Sequence, residues 1–345
     1  MRLTIAALLL ILFAPAGVAQ DPALPPGLGE ERSEQAEEEK KEHWTDRLPN
    51  GLGGFFETRV GPRIGTDRAQ SEDFTLAEAR LQASYERAFR HVTLDTKADL
   101  ILDGVLDRID TDLRTLRLSF RPARSLDLGI GRQVATWGTG DLLFINDLFP
   151  KDWQSFFIGR DEEYLKAPSD ALRLGWFPGR VSVDLVYTPE FDPDRFIRGE
   201  RISFWDPATG GFRGDASPIV ADTPDEGEIA LRVYGSIGSY EISAYGYHGF
   251  WKSPGGMDPA TMTALFPALN VWGASARGPL GRGIGNVEIG LFDSRDDPDG
   301  TDPFINNGEL RFLAGYEREL GTDLTGGFQY YLEKLGDYDA YRASL

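Results

Sequence analysis

Only His43, His91 and His248 carry an imidazole that titrates near neutral pH. An imidazole base needs a nucleophile or an orienting partner within hydrogen-bond reach. His43 lies in a charged N-terminal stretch and His91 follows a short turn, so neither has a catalyst's surroundings. His248, in Tyr245-Gly246-Tyr247-His248, is the one candidate base. A hydrolase with serine two residues after its histidine would need that serine where Phe250 stands. The expectation is therefore no catalytic residue and no enzyme, with a His248 hydrolase as the remote alternative.

Metal and phosphate chemistry find no better footing. The chain has no cysteine and no His-Glu-x-x-His pair. Asp293 to Asp302 concentrates carboxylates, but without the spacing of a Ca²⁺ loop, and reads as solvated. Gly281-Arg282-Gly283-Ile284-Gly285 has no helix after it to complete a phosphate cradle. No metal and no cofactor are expected.

The stretch 134–168 is different. It holds Trp137, Trp153, Arg160, Asp161, Glu162 and Lys166 among other rings and charges. Rings seek burial, so a connection this aromatic packs against something. If it folds into a lumen, Arg160 and Lys166 facing Asp161 and Glu162 make a charged constriction. Packing on top as a lid or a partner contact is the alternative.

Such a loop needs a scaffold, and the flanking sequence supplies one. Val92, Leu94, Thr96, Ala98, Leu100 and Leu102 alternate with His91, Thr93, Asp95, Lys97, Asp99 and Ile101. The same period of two recurs in about thirteen segments of roughly 9–13 residues, a length suited to tilted membrane strands. Their connections alternate between short (Phe89-Arg90, Pro178-Gly179, Gly321-Thr322) and mostly long and polar (63–74, 134–168, 190–226, 251–268, 293–308). Membrane barrels sort their turns this way; soluble sandwiches do not. The expected fold is all-β: a transmembrane antiparallel up-and-down β-barrel spanning 51–345, with its N-terminus periplasmic. The polar alternation assigns Arg80, Asp95, Lys97, Asp99, Arg117, Asp127, Arg132, Arg173, Arg232 and Arg311 to the lumen, with Asp184 and Glu288 beside them. Arg132 also breaks the outward alternation of its strand, at the base of 134–168. Trp176, Tyr187, Tyr234, Tyr240, Trp251, Trp272, Tyr316 and Tyr330 fall near strand ends, where headgroup girdles place rings.

Residues 1–19 read as a signal peptide: Met1-Arg2, an apolar run from Ile5 to Ala14, and a small-x-small site at Gly17-Val18-Ala19. Residues 20–50 form an acidic periplasmic lead-in. A net charge of −19 argues against nucleic acid, which requires basic stripes. Acidic loops either keep a surface soluble or hold divalent cations among lipid headgroups.

Gly129-Ile130-Gly131-Arg132-Gln133-Val134-Ala135-Thr136-Trp137-Gly138 resembles the G-R-Q…W-G strand-to-loop passage of uncharacterised proteobacterial porin-like barrel proteins, best over 125–177. The resemblance implies an outer-membrane barrel of about fourteen to eighteen strands in the full protein. The chain stops at Ala343-Ser344-Leu345 rather than on a strand with a terminal aromatic, so closing strands are expected to be missing. The functional expectation is a porin-like channel in the outer membrane of a Gram-negative bacterium, passing small polar solutes. Outer-membrane lipid and lipopolysaccharide would be its surroundings, and a homo-oligomer stays open. The alternative is a non-conducting scaffold barrel that holds a periplasmic or surface partner through the lead-in.

Overall fold

The computed structural model describes Thr4–Phe13 as backbone, and 50–345 except residues 141, 207 and 208. The lead-in, apart from Asn50, lies outside the described residues. Alternation of the kind above satisfies backbone groups only by pairing with neighbours, and it does so in one 14-stranded antiparallel sheet. The strands are β1 (Thr4–Phe13), β2 (Leu52–Pro62), β3 (Phe74–Phe89), β4 (Val92–Asp103), β5 (Arg108–Ala123), β6 (Leu126–Gln133) and β7 (Ser169–Trp176). They continue as β8 (Val181–Thr188), β9 (Glu228–Ile237), β10 (Tyr240–Phe250), β11 (Ala268–Leu280), β12 (Gly283–Ser294), β13 (Glu309–Gly321) and β14 (Leu324–Leu335). From β2 to β14 each strand pairs with its sequence neighbours, an up-and-down meander. The thirteen segments read from the sequence are the thirteen strands β2–β14.

The apolar run taken as a leader pairs along β14, from Thr4 opposite Lys334 to Phe13 opposite Thr325. An unpaired strand edge templates any extended apolar segment within reach, which is the physical reason for this seat. No ladder joins β1 to β2 among the described residues. After β14 the chain turns into a short helix, Tyr338–Ser344.

The sheet is inverted relative to a soluble protein. Leu81, Ile130, Leu291 and Trp272 are 51–64% exposed on one face. On the other, Arg80, Asp99, Asp184 and Glu288 are at most 2% exposed. A soluble sandwich buries the apolar face; a membrane barrel turns it toward lipid. Two rings leave the expected girdle: Trp251 is buried and Tyr234 lies on the polar face under Arg232, whose Cζ is 4.2 Å from its ring.

Hairpin connections at one end, the turn end, are 2–4 residues long, with Gly238 and Gly281 supplying the positive φ that tight hairpins need. Connections at the other end, the loop end, are long except 104–107.

One irregularity shifts side chains between faces. On β5, Ile109, Leu113, Leu116, Leu118 and Phe120 are all exposed, so the outward phase slips between 113 and 116. Opposite, Lys97 faces Thr115 and Ala98 faces Leu113, which leaves Arg114 as a bulged residue. The bulge turns Arg114 inward, 3% exposed.

Candidate functional site

Loop 134–168 lies inside the sheet and crosses from one wall to the other. Its first half docks on β10–β13. Trp137 meets Phe149 edge-on at 4.8 Å and Tyr245 of β10 at 6.2 Å. These rings join Ile145, Val271, Phe292 and Leu313 in an apolar core within the polar face.

A notch in the wall seats this half. Gly273 and Gly290 stand opposite one another on β11 and β12. A Cβ on Gly273 would lie 1.7 Å from Asn146 Oδ1, and one on Gly290 2.7 Å from Ile145 Cγ2. Beside the notch, Glu288 closes the dock. Its Oε1 accepts from the Thr139 backbone N–H, the Thr139 hydroxyl (2.8 Å) and the Gly140 N–H (2.9 Å). Its Oε2 accepts from the Asn146 N–H (3.3 Å) and side-chain amide (3.0 Å). A buried carboxylate held by loop dipoles gives the loop strong reason to stay.

The second half reaches β2–β5. Arg160 donates to Glu78 on β3 (2.7 Å), and Asp161 pairs with Arg59 on β2 (2.8 Å). Glu163 lies 3.7 Å from Lys97 on β4. The Tyr164 ring sits between two guanidiniums, Arg80 at 4.1 Å and Arg114 at 4.4 Å, and its hydroxyl accepts from Gln82 (2.8 Å). Burial pushes the Tyr164 phenol up to about 12. Arg114 donates to the carbonyls of Glu163 and Lys166, both at 2.9 Å.

A second loop, 189–227, caps the loop end. Asp194 accepts from the Lys151 N–H (2.7 Å), Trp153 Nε1 (3.1 Å) and the Ser253 hydroxyl (2.7 Å). Arg195 bridges Asp112 (2.8 Å) and Asp152 (3.1 Å). Burial opposes its charge, yet Asp112 and Asp152 hold its pKa above the ordinary arginine value.

Beside this packed material two cavities remain, one against β4 and β5 at the loop end and one along β4–β8 at the turn end. The loop-end cavity, about 570 Å³, has Asp103, Asp112, Arg160 and Arg195 in its lining. The turn-end cavity, about 620 Å³, has Arg117, Arg121, Asp127 and Arg173. They share no lining residue. Along β4 and β5 the inward positions between them are Lys97, Asp99 and Arg114, at the level where Tyr164 crosses.

The expected lumen residues divide accordingly. Asp95 pairs with Arg117 (2.6 Å), Arg173 with Asp184 (3.3 Å), and Asp127 accepts from Arg121 Nη2 (2.9 Å). Asp99 accepts from Gln82 (2.9 Å). Arg232 donates to Ser243 (3.1 Å), and Arg311 lies 4.2 Å over the Phe292 ring and pairs with Glu309. Arg132 is a correction: it sits on the outward face with Asp170 (3.2 Å), because the strand keeps its period of two through Leu128, Ile130 and Arg132, opposite outward Leu116 and Asp170. Of the constriction set, Trp137 is packed into the apolar core rather than at an aperture, and Trp153 belongs to the loop-end layer. Glu162 is exposed and Lys166 half-buried, and neither makes a side-chain ion pair among the described residues.

Sequence reasoning missed Arg114, Asp194 and Arg195. For Arg114 a signal was present: Leu113 and Leu116, three apart, mark the phase slip. His248 lies on the outward face with Nδ1 2.8 Å from Asn270 Oδ1, and Asn270 donates to Asp293 (3.2 Å).

No family model and no curated protein matches the chain. Solved structures that match include an OmpT loop L8 deletion mutant, an outer membrane protein of Vibrio cholerae: 11% identity, TM-score 0.35, 83% of this chain and 99% of that chain. Another is Pseudomonas aeruginosa OccD3 (OpdP): 10%, 0.43, 86% and 64%. A third is a Rh. blastica porin mutant: 11%, 0.31, 82% and 98%. With TM-scores below 0.5, these likenesses do not bear on how this chain works.

Proposed function

We propose that the protein is a porin-like outer-membrane channel that passes small polar solutes along the β4–β8 wall. The observation that carries this is a pair of charged cavities inside an inverted sheet, one at each end of β4 and β5, with the inward-folded loop crossing between them. The apolar outer face suits bilayer tails, and the polar pairs Arg132–Asp170 and His248–Asn270 at the loop end suit a headgroup layer of phospholipid or lipopolysaccharide. In this reading the loop end faces outward, the turn end faces the periplasm, and the protein is no enzyme. His248 supports that last point: its polar contact is an amide, not a hydroxyl nucleophile.

Planar bilayers test the proposal. The reconstituted chain is expected to give discrete conductance steps, larger when residues 150–164 are shortened. A sealed barrel, silent even after that shortening, ends the channel reading and leaves the scaffold alternative.

A further inference from the structure

The connections at the two ends of the sheet carry opposite net charge. The six hairpin turns from 90–91 to 322–323 hold Arg90, Arg124, Arg180 and Arg282 against one acid, Asp323. The six connections at the loop end hold twenty-four carboxylates against eleven lysines and arginines. Loop 189–227 alone contributes nine carboxylates and four arginines.

The cavities repeat this division. Seven carboxylates and five guanidiniums line the loop-end cavity. Four guanidiniums and two carboxylates line the turn-end cavity, with His91 beside them. Pairs cancel much of this: Arg195 with Asp112 at the loop end, and Arg173 with Asp184, Arg121 with Asp127 and Arg117 with neighbouring Asp95 at the turn end, leaving an acidic excess at the loop end and the charge of Arg90 at the turn end. The separating layer of Lys97, Asp99 and Arg114 is of mixed sign.

Resting on the channel reading, we infer that the pathway is bipolar along its axis, an acidic mouth in series with a basic vestibule, and that it favours solutes with no net charge bearing separated positive and negative ends. An anion is repelled at the mouth and a cation at the vestibule. A zwitterion meets neither barrier in full. Small ions feel the same arrangement as a rectifier. When the loop side is positive, cations enter through the acidic mouth and anions through the basic vestibule, so carriers accumulate at the junction. With the opposite polarity the junction is depleted.

The test is a current–voltage curve of the full chain in symmetric KCl, with insertion direction fixed by the side from which protease alters the current. At 0.1 M the loop-positive current is expected to exceed the loop-negative current roughly two-fold. At 1 M the ratio falls toward one, because the Debye length shrinks from about 10 Å to about 3 Å. Arg90→Asn with Arg121→Gln, both at exposed turn-end sites, is expected to straighten the curve at 0.1 M. In proteoliposomes, β-alanine is expected to enter faster than propionate or propylammonium. A linear curve, rectification of the opposite sign, or faster entry of either ion overturns the bipolar assignment. Absence of any conductance instead overturns the channel reading beneath it.

Discussion

The wall from β9 to β13 and the wall from β3 to β5 share one alternation, yet their inner faces do opposite things. On β9–β13 the inward positions include Ala230, Tyr245, Val271, Phe292 and Leu313, with the glycine pair opening a notch. The first half of loop 134–168 fills that side with an apolar core. On β3–β5 the inward positions include Glu78, Arg80, Lys97, Asp99 and Arg114, covered by the loop only at one level, while Ala171 of β7 and Val186 of β8 still belong to the apolar core. One loop thus has an anchored half and a narrowing half. The apolar half holds position because burial is non-directional and additive. The charged half leaves space because paired charges resist close packing by anything that cannot match their hydrogen bonds.

This contrast is breakable. The largest effect is expected from filling the notch. Gly273→Val drives a side chain into Asn146, so the loop loses its seat; single-channel conductance rises severalfold and the loop becomes protease-sensitive. An unchanged conductance would detach the anchored half from pore size. Next, Glu288→Ala leaves the Thr139, Gly140 and Asn146 donors without their acceptor, costing on the order of 3 kcal/mol. Thermal melting in detergent, followed by the loss of heat-resistant mobility, reads it. Glu288→Gln keeps an acceptor and is expected to fall between.

A smaller effect belongs to the other wall. Arg114→Ala removes one cation face of Tyr164 and two donors to loop carbonyls. Conductance is expected to rise about two-fold and cation preference to increase, with the anchored half still protected from protease. The two-fold figure is an order-of-magnitude expectation from removing one pore-lining charge in a narrow layer. The smallest effect is Arg132→Ala: its outward, half-exposed pair with Asp170 contributes only about 0.5 kcal/mol, and conductance stays as it was. A changed ion selectivity in that variant would return Arg132 to the lumen.

The same comparison explains what the sequence made legible. Alternation and connection lengths revealed all thirteen strands β2–β14, because each strand's two faces meet different solvents. It also assigned Asp95, Arg117, Asp184 and Arg311 to the inner face. Arg132 failed because its charge suggested the lumen while the unbroken period of two keeps it outward with Leu128 and Ile130, and Arg114 because a bulge moves the phase by one. The docking of loop 134–168 was open between lumen and lid, since its rings show that it packs but not on what. Glu288 was visible as an inward acid, but its hold on Thr139 and Asn146 spans about 140 residues of sequence. Asp194 and Arg195 sit in an irregular acidic loop with no period to read. The pairing of Thr4–Phe13 with β14 likewise depends on a strand edge that no local pattern discloses.

The most direct test of the account uses the absence of native cysteine, since a single introduced thiol is then the sole target. Thr93→Cys and Ser119→Cys place it in the turn-end cavity; Ala230→Cys and Ser275→Cys place it on the opposite wall. A bulky charged thiol reagent added during single-channel recording is predicted to cut the current at the first two positions and leave the last two untouched. Block at residues 230 or 275, with free passage past 93 and 119, would contradict a pathway along β4–β8.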